Sequence, residues 1–200
     1  MADIGQAPRN PGRRRALKSL GAAAGALTMV PALSEAATAA FLQTARTGAA
    51  PKLKALTAAE YAAVDLLSDT IIPTDAQSPG AHAARVADYI DLLLSESPAA
   101  TKAAWKDGIA AVDALAQSRF RTTFARLTQP QRIEVVTEMA THEAAPQAPV
   151  EAFFVVAKDW TIRGYYTSEI GIHKDLRYQG NQFLGEFVGC AEAPARPGIK

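Results

Sequence analysis

Residues 57–73 read TAAEYAAVDLLSDTIIP, and this stretch decides the fold class. Thr57 and Glu60 have the Ser/Thr-x-x-Glu spacing of a capping box, which marks the start of a helix. The apolar residues behind them recur at three- and four-residue steps, as on one face of a helix; they are Tyr61, Val64, Leu67 and Ile71. Because proline cannot continue a helix, the stretch predicts one that ends just before Pro73.

Two more helices are predicted in the middle of the chain. We expect one over Ala83–Leu94, with apolar residues facing inward at Val86, Ile90, Leu93 and Leu94. Pro98 opens the next, which carries the same spacing at Trp105, Ile109, Val112 and Leu115. Phe120, Phe124 and Leu127 extend its apolar face after a break.

The pattern continues to Tyr166. Thr128 and Gln131 have the spacing of an N-cap and its capping partner, with Pro130 in the first turn, so we expect a fourth helix over Gln129–Glu143. A fifth is predicted over Val150–Tyr166, and no stretch alternates as a strand does. The sequence therefore predicts an all-α fold, a small irregular domain of about five helices with a loop-rich, aromatic C-terminal segment.

The amino-acid composition limits the size of the core and the kinds of partner that the chain can bind. The 200 residues fit one domain, and 21 basic against 20 acidic residues give a net charge of +1. That balance offers no basic surface for nucleic acid, so we expect no nucleic-acid partner. Much of the hydrophobic fraction of 48% is alanine, which favours helix but buries little area per residue. We therefore expect a thin core that benefits from a protein partner.

The N-terminal segment has the order of an export signal. A basic cluster at residues 12–18 precedes the small, apolar run Ser19–Leu33 and the small residues 36–40. The cluster is similar to the twin-arginine pattern Ser-Arg-Arg-x-Phe-Leu-Lys, although Gly12 and Ala16 replace its Ser and Phe. Its matching residues are Arg13, Arg14, Leu17 and Lys18. The apolar run is too short to span a membrane and only mildly hydrophobic, which favours the twin-arginine route.

These features predict three parts of the chain. They are an export signal over 1–39, a linker over 40–56 and a helical domain over 57–200. Cleavage is expected between Ala36 and Ala40, or the segment stays attached as an anchor. An ordinary secretory signal, and a basic tail beside an alanine-rich helix, are the alternative interpretations of the same residues.

The rest of the chain carries few residues or motifs that are typical of catalysis or cofactor binding. It has no Gly-x-Gly-x-x-Gly, Walker, Gly-x-Ser-x-Gly or His-Glu-x-x-His motif, and its three histidines are far apart. The single cysteine, Cys190, excludes c-type haem attachment and a cysteine-ligated cluster. Asp159 and Arg163 are spaced for a surface salt pair. Since twin-arginine export moves folded proteins, a signal on a chain with no cofactor to load suggests that the cargo is a partner.

Aromatic residues concentrate between Phe153 and Phe187. They are Phe153, Phe154, Trp160, Tyr165, Tyr166, Tyr178, Phe183 and Phe187. Tyr, Trp and Arg dominate the binding energy of interfaces, so this third of the chain could be a docking surface. It could equally be the core that the alanine-rich helices cannot supply, and both interpretations stay open.

Three segments resemble the gluconate 2-dehydrogenase subunit 3 family. The most specific is residues 163–171, RGYYTSEIG, followed by Leu176, Tyr178 and Gly180. The start of the first helix, LTAAE at 56–60, and the turn TIIPTD at 70–75 add to the likeness.

The resemblance implies a division of labour within a dehydrogenase complex. A GMC-type catalytic subunit carries FAD and oxidises a sugar or sugar acid, and a multihaem cytochrome c subunit passes electrons to the inner membrane. The small subunit holds no cofactor of its own; it supports folding of the flavin subunit and supplies the signal for the twin-arginine translocase. It is expected in the periplasm, bound to the membrane through the complex. The residues expected to contact the partner are Trp160, Arg163, Tyr165, Tyr166 and Tyr178.

Two alternatives remain at the level of the sequence. One is a free-standing periplasmic helical enzyme with an unrecognised site, and the other is a helical module that binds a ligand. Either should show turnover or binding without a partner, whereas an accessory subunit should show no turnover alone.

Cys190 provides the first test. In the oxidising periplasm an unpaired cysteine is available for a disulfide to another subunit. We expect mass spectrometry of the non-reduced complex to find Cys190 linked to a peptide of the partner. A freely alkylated Cys190 in that complex would rule the intersubunit disulfide out.

Overall fold

The computed structural model describes residues 52–180 together with Ser34 and Ala39, and this part of the chain contains five α-helices and no strand. The helices are α1 (Ala58–Ile71), α2 (Val86–Glu96), α3 (Ala99–Phe120), α4 (Gln129–Met139) and α5 (Pro149–Tyr166). A 3₁₀ turn, Phe124–Arg126, separates α3 from α4, and a π-helical turn, Gly171–Asp175, follows α5. The predicted all-α fold is confirmed.

Several predicted residues lie outside the described part of the chain. They are the signal residues Arg13, Arg14, Leu17 and Lys18, the cysteine Cys190, and the aromatics Phe183 and Phe187. The export signal and the disulfide therefore stay predictions.

Both predicted capping boxes are present. At the start of α1, the backbone N–H of Thr57 donates to Oε2 of Glu60 at 2.7 Å, and the N–H of Glu60 donates to Oγ1 of Thr57 at 3.3 Å. At the start of α4, the N–H of Thr128 donates to Oε1 of Gln131 at 2.9 Å. These local bonds satisfy backbone groups that have no partner within the helix, so the sequence alone could place both starts.

Two predicted boundaries were wrong. α2 begins at Val86 rather than Ala83, because the backbone of Arg85 adopts a left-handed conformation (φ 57°) and residues 81–85 form turns before it. α4 ends at Met139 rather than Glu143, and residues 141–144 continue as a turn. Nδ1 of His142 lies 2.7 Å from Oε1 of Glu151, which ties this turn to the first turn of α5.

The region predicted as a linker is attached to the folded body at its end. The carboxylate of Asp91 on α2 accepts three backbone N–H groups, from Lys54, Ala55 and Leu56, at 2.8, 3.0 and 2.8 Å. Asp91 is buried, and these bonds satisfy a carboxylate that would be costly to bury alone. The side chain of Leu56 joins the core.

Helices α3 and α5 each contact all four other helices, and so does α1. The core between these helices is built from a few large side chains among many alanines. The large buried residues include Trp105, Ile90, Phe124, Met139, Phe153, Phe154, Trp160 and Tyr165. The interpretation of the aromatic third as core is therefore confirmed for Phe153, Phe154, Trp160 and Tyr165, whereas Tyr166 and Tyr178 are exposed.

Helices α3 and α5 pack closely because α3 has a glycine where α5 has a large ring. A Cβ atom on Gly108 would lie 2.1 Å from Cδ2 of Phe153, far inside van der Waals contact. The ring of Phe153 in turn meets Trp105 edge-on, with 5.2 Å between the ring centroids. Trp105 also lies against Trp160 at 4.8 Å. Three aromatic residues thus join the two helices.

Candidate functional site

The segment at 163–171 that carries the resemblance forms the end of α5 and the turn after it. The hydroxyl of Thr167 donates to the carbonyl of Arg163 at 2.6 Å, and that of Ser168 donates to the carbonyl of Tyr165 at 2.6 Å. Oγ of Ser168 also accepts the backbone N–H of Gly171 at 3.0 Å. The same two carbonyls also accept the backbone N–H groups of Thr167 and Ser168, at 3.1 and 3.0 Å, so each hydroxyl adds a second bond at the point where the helix ends.

The two glycines of this segment lie where no side chain fits. A Cβ atom on Gly164 would lie 2.8 Å from Cδ1 of Tyr89 on α2. A Cβ atom on Gly171 would lie 2.1 Å from the carbonyl oxygen of Tyr165. Gly164 therefore lets α5 approach α2, and Gly171 lets the turn fold back on the end of α5.

Tyr165 joins this segment to the loop after α1. Its hydroxyl lies 2.6 Å from Oγ of Ser78 and donates to the carbonyl of Pro79 at 2.9 Å. The carboxylate of Asp75 holds the same loop by accepting the N–H groups of Gln77 and Ser78, and these bonds lower its pKa. The segment at 163–171 therefore contacts the loop that follows the turn at 70–75, and Tyr165 and Asp75 have structural roles there.

Two of the residues predicted to contact a partner are buried within this chain. Trp160 is 2% exposed and Tyr165 is 1% exposed. Both side chains fill space between the alanine-rich helices of this chain, which accounts for their burial in it. Their contact with a partner stays a prediction.

The other predicted contacts lie on a surface that we call the apolar ridge, defined by the exposed residues Ile162, Tyr166, Leu176 and Tyr178. Ile162 and Tyr166 are one turn apart on α5. A hydrogen bond from Tyr166 to Asp175 raises the pKa of Tyr166. The π-helical turn contacts α5, and Leu176 directly follows that turn. Large apolar side chains clustered on a surface are typical of an interaction site.

Arg163 lies beside the ridge. Its Nε donates to Oδ2 of Asp159 at 2.8 Å, so the predicted salt pair is confirmed. Both side chains are about half exposed, and such a pair contributes little to stability. Arg163 is therefore available to a partner as a charged donor at the edge of an apolar surface.

A groove runs between α3 and α5, and we call it the α3–α5 groove. Its volume is about 450 Å³, within the range of small-ligand and side-chain pockets. Its lining is Ala100, Thr101, Ala104, Trp105, Asp107, Gly108 and Ala111 from α3, and Pro149, Ala152, Phe153, Val156 and Trp160 from α5. The groove is apolar, and among the described residues that line it Asp107 is the single charged one.

A network of hydrogen bonds joins α1 to the start of α2, where the loop between these two helices ends. The hydroxyl of Tyr61 donates to Oδ1 of Asp88 at 2.6 Å, and Nε of Arg85 binds the other oxygen of that carboxylate. Nδ1 of His82 lies 2.7 Å from Oδ2 of Asp65, whose pKa is raised by burial. Burial and the bond to Asp88 also raise the pKa of Tyr61. The network fixes the left-handed backbone at Arg85 and with it the start of α2.

Within the part of the chain that the structure describes, no three His, Cys, Asp or Glu side chains are grouped so that they could hold a metal ion. None of the described helices is both long and apolar enough to cross a membrane.

Comparison with protein-family models matches the chain to gluconate 2-dehydrogenase subunit 3 over residues 58–185. The match covers more than half of the chain and includes all five helices and both contacting segments. The chain belongs to this family. Curated proteins give no match, and solved structures give none either. Membership of the subunit 3 family implies a partner within a dehydrogenase complex.

The sequence did not predict the α3–α5 groove. Its α3 wall has a signal, small residues at four-, four- and three-residue steps: Ala100, Ala104, Gly108 and Ala111. In a chain rich in alanine this spacing does not stand out, and only the packing of α5 shows which alanines border a cavity.

Tyr165 and Tyr166 are neighbours in the sequence, so a substitution at each allows a direct test of the buried hydrogen bonds of the Tyr165 hydroxyl. Replacing Tyr165 by Phe (Tyr165→Phe) removes two hydrogen bonds in a buried place and leaves Oγ of Ser78 and the carbonyl of Pro79 with only the long 3.4 Å bond between them. We expect a loss of about 1–3 kcal/mol in the free energy of unfolding, measured by urea denaturation. Tyr166→Phe is the matched control: it removes a hydrogen bond to Asp175 at an exposed site, where water can take the place of either partner, so we expect a change of less than about 0.5 kcal/mol. Equal effects of the two substitutions would contradict the assigned role of Tyr165.

Proposed function

We propose that this chain is the non-catalytic small subunit of a periplasmic FAD-dependent dehydrogenase complex that oxidises a sugar or sugar acid. Membership of the subunit 3 family is the observation that carries the proposal. The apolar ridge supports it, because a subunit of a complex needs a surface on which its partner packs. In this proposal Tyr166, Tyr178 and Arg163 contact the catalytic subunit.

We assign the flavin to the catalytic subunit, a GMC-type protein. The α3–α5 groove does not suit a flavin dinucleotide, because its one charged lining residue is the acidic Asp107, which would repel the diphosphate. Haem c is assigned to a multihaem cytochrome c subunit that links the complex to the inner membrane.

The small subunit also acts as an export escort. Arg13 and Arg14, with Leu17 and Lys18, resemble a twin-arginine signal, and the translocase that reads such signals moves folded proteins. A signal on this chain allows a flavin subunit to be folded and loaded with FAD in the cytoplasm before the pair is exported together. Holding the catalytic subunit in a folded, transport-ready state is the accessory role that we propose.

The export role is tested by replacing both arginines with lysine (Arg13→Lys and Arg14→Lys). We expect the flavin subunit, co-expressed with this variant, to bind it normally and to stay in the cytoplasm, whereas the unaltered chain brings it to the periplasm. Cell fractionation followed by immunoblotting measures both. The control is Arg9→Lys, outside the paired arginines, which should leave export unchanged. Normal export of the flavin subunit in cells that lack this chain would refute the escort role.

The docking role is tested by placing a charge on the apolar ridge. Leu176 is 58% exposed, so Leu176→Asp should fold normally while adding a desolvation cost to any interface there. We expect the amount of flavin subunit that co-purifies to fall about tenfold, which corresponds to about 1.4 kcal/mol of binding energy. Ile133 on α4 is 50% exposed and lies away from the ridge, so Ile133→Asp is the matched control.

If both substitutions reduce co-purification equally, or neither does, the ridge is not the docking surface. Thermal unfolding of each purified variant shows whether a loss of binding comes from a loss of fold.

A further inference from the structure

We infer that Glu96, the last residue of α2, binds the chain's own N-terminal segment at Ser34 and thereby protects the predicted cleavage region at 36–40 from proteases, so that the folded chain keeps its export signal. The inference rests on the part of the proposed function that assigns a signal to residues 1–39. It adds a binding site on the folded domain and a means by which that domain controls processing of the signal.

The contact between Ser34 and Glu96 uses both oxygens of the carboxylate. The backbone N–H of Ser34 donates to Oε2 at 2.9 Å, and its hydroxyl donates to Oε1 at 3.0 Å. These bonds lower the pKa of Glu96, so the carboxylate accepts them in its charged form. Hydrogen bonds to a charged acceptor are stronger than bonds between neutral groups, and two of them at one residue fix its position and orientation. Because the two residues are 62 positions apart, the contact attaches the N-terminal segment to the folded domain.

The local structure of α2 does not favour a glutamate at this position. The C-terminal end of a helix carries partial negative charge, so a carboxylate in the last turn is unfavourable there. α2 has no basic residue in its last turn, and the side chain of Glu96 is exposed rather than packed in the core. Neither the helix nor the core accounts for Glu96, whereas the two donors of Ser34 do.

A second carboxylate on α2 holds the chain between Ser34 and α1. Asp91 accepts the backbone N–H groups of residues 54–56, and the positive charge of Lys54 lowers the pKa of Glu96. Since the chain is already attached to α2 at Lys54, the contact at Ser34 closes a loop within one molecule. Contacts of this kind act at an effective concentration of about millimolar, at which a pair of surface hydrogen bonds is enough to favour the bound form.

Ala39 connects this contact with proteolysis. It lies within the predicted cleavage region, and its backbone is helical. A helix uses its backbone carbonyls in hydrogen bonds four residues on, whereas a protease binds its substrate as an extended segment, much as a strand is added to a sheet. Ala39 is exposed, so the protection comes from conformation and not from burial. Cleavage requires the region to extend, and attachment of Ser34 five residues earlier opposes that change.

Elastase, a protease that cleaves after small residues such as alanine, tests the inference on the purified full chain. Glu96→Ala removes both bonds to Ser34 and lies far from the cleavage region in the sequence, so the protease does not recognise the substitution itself. We expect cleavage within 36–40, identified by mass spectrometry of the fragments, to become about fivefold faster, as the loss of the net contribution of these bonds implies. Glu134→Ala, at an exposed glutamate on α4, is the matched control and should be cleaved at the unaltered rate.

Three results of this experiment would overturn the inference. They are equal cleavage rates in Glu96→Ala and the unaltered chain, an equal acceleration by Glu134→Ala, and a faster cleavage of Glu96→Ala that is accompanied by a lower unfolding temperature. Glu96→Gln keeps an acceptor oxygen for one of the two bonds, so an acceleration between those of the unaltered chain and Glu96→Ala is expected and supports the inference.

The same variants show in cells whether the contact decides the fate of the signal. We expect the intact mass of the chain recovered from the periplasm to include residues 1–39, and Glu96→Ala to lack them in a larger share of molecules. Complete loss of residues 1–39 from the unaltered chain would overturn the inference. Failure of the unaltered chain to reach the periplasm would instead refute the export role, and the elastase rates would still decide whether Glu96 protects the region.

Discussion

The contact of three aromatic rings between α3 and α5 supports much of the structure. Trp105 lies against both Phe153 and Trp160, and Gly108 provides the space in which the ring of Phe153 fits. Alanine-rich helices bury little area, so a few large side chains must supply the core volume that holds them together. The same contact forms the floor of the α3–α5 groove, because the rings fill the depth between the helices while the alanines above them leave the surface open.

At the end of α5, a buried residue is followed directly by an exposed one. Tyr165 points into the core and binds the loop after α1, and its neighbour Tyr166 lies on the surface. Gly164 and Gly171 permit the close packing that holds this arrangement in place. The fold thus uses part of the segment to fix α5 against α1 and α2, and presents the remainder as the apolar ridge.

A division of labour within a complex accounts for these features together. A chain with a thin core, exposed apolar surfaces and a predicted signal for folded cargo gains most from a partner that covers those surfaces. The subunit 3 family provides that partner in a dehydrogenase complex. In our proposal the small subunit contributes recognition and export, and the catalytic subunit contributes the chemistry.

The sequence by itself determined the helices, because their period and caps depend on residues a few positions apart. The starts of α1 and α4 follow from Thr57 with Glu60 and from Thr128 with Gln131, and the salt pair of Asp159 with Arg163 follows from their spacing. The segments that carry the resemblance to the family could also be recognised in the sequence. Only the tertiary structure decided that Trp160 and Tyr165 are buried while Tyr166 is exposed, and that Ala104 borders a cavity while Ala110 does not. Aromatic and alanine residues suit both core and surface, so their roles are set by which neighbouring helix packs against them, and that depends on contacts between residues far apart in the chain.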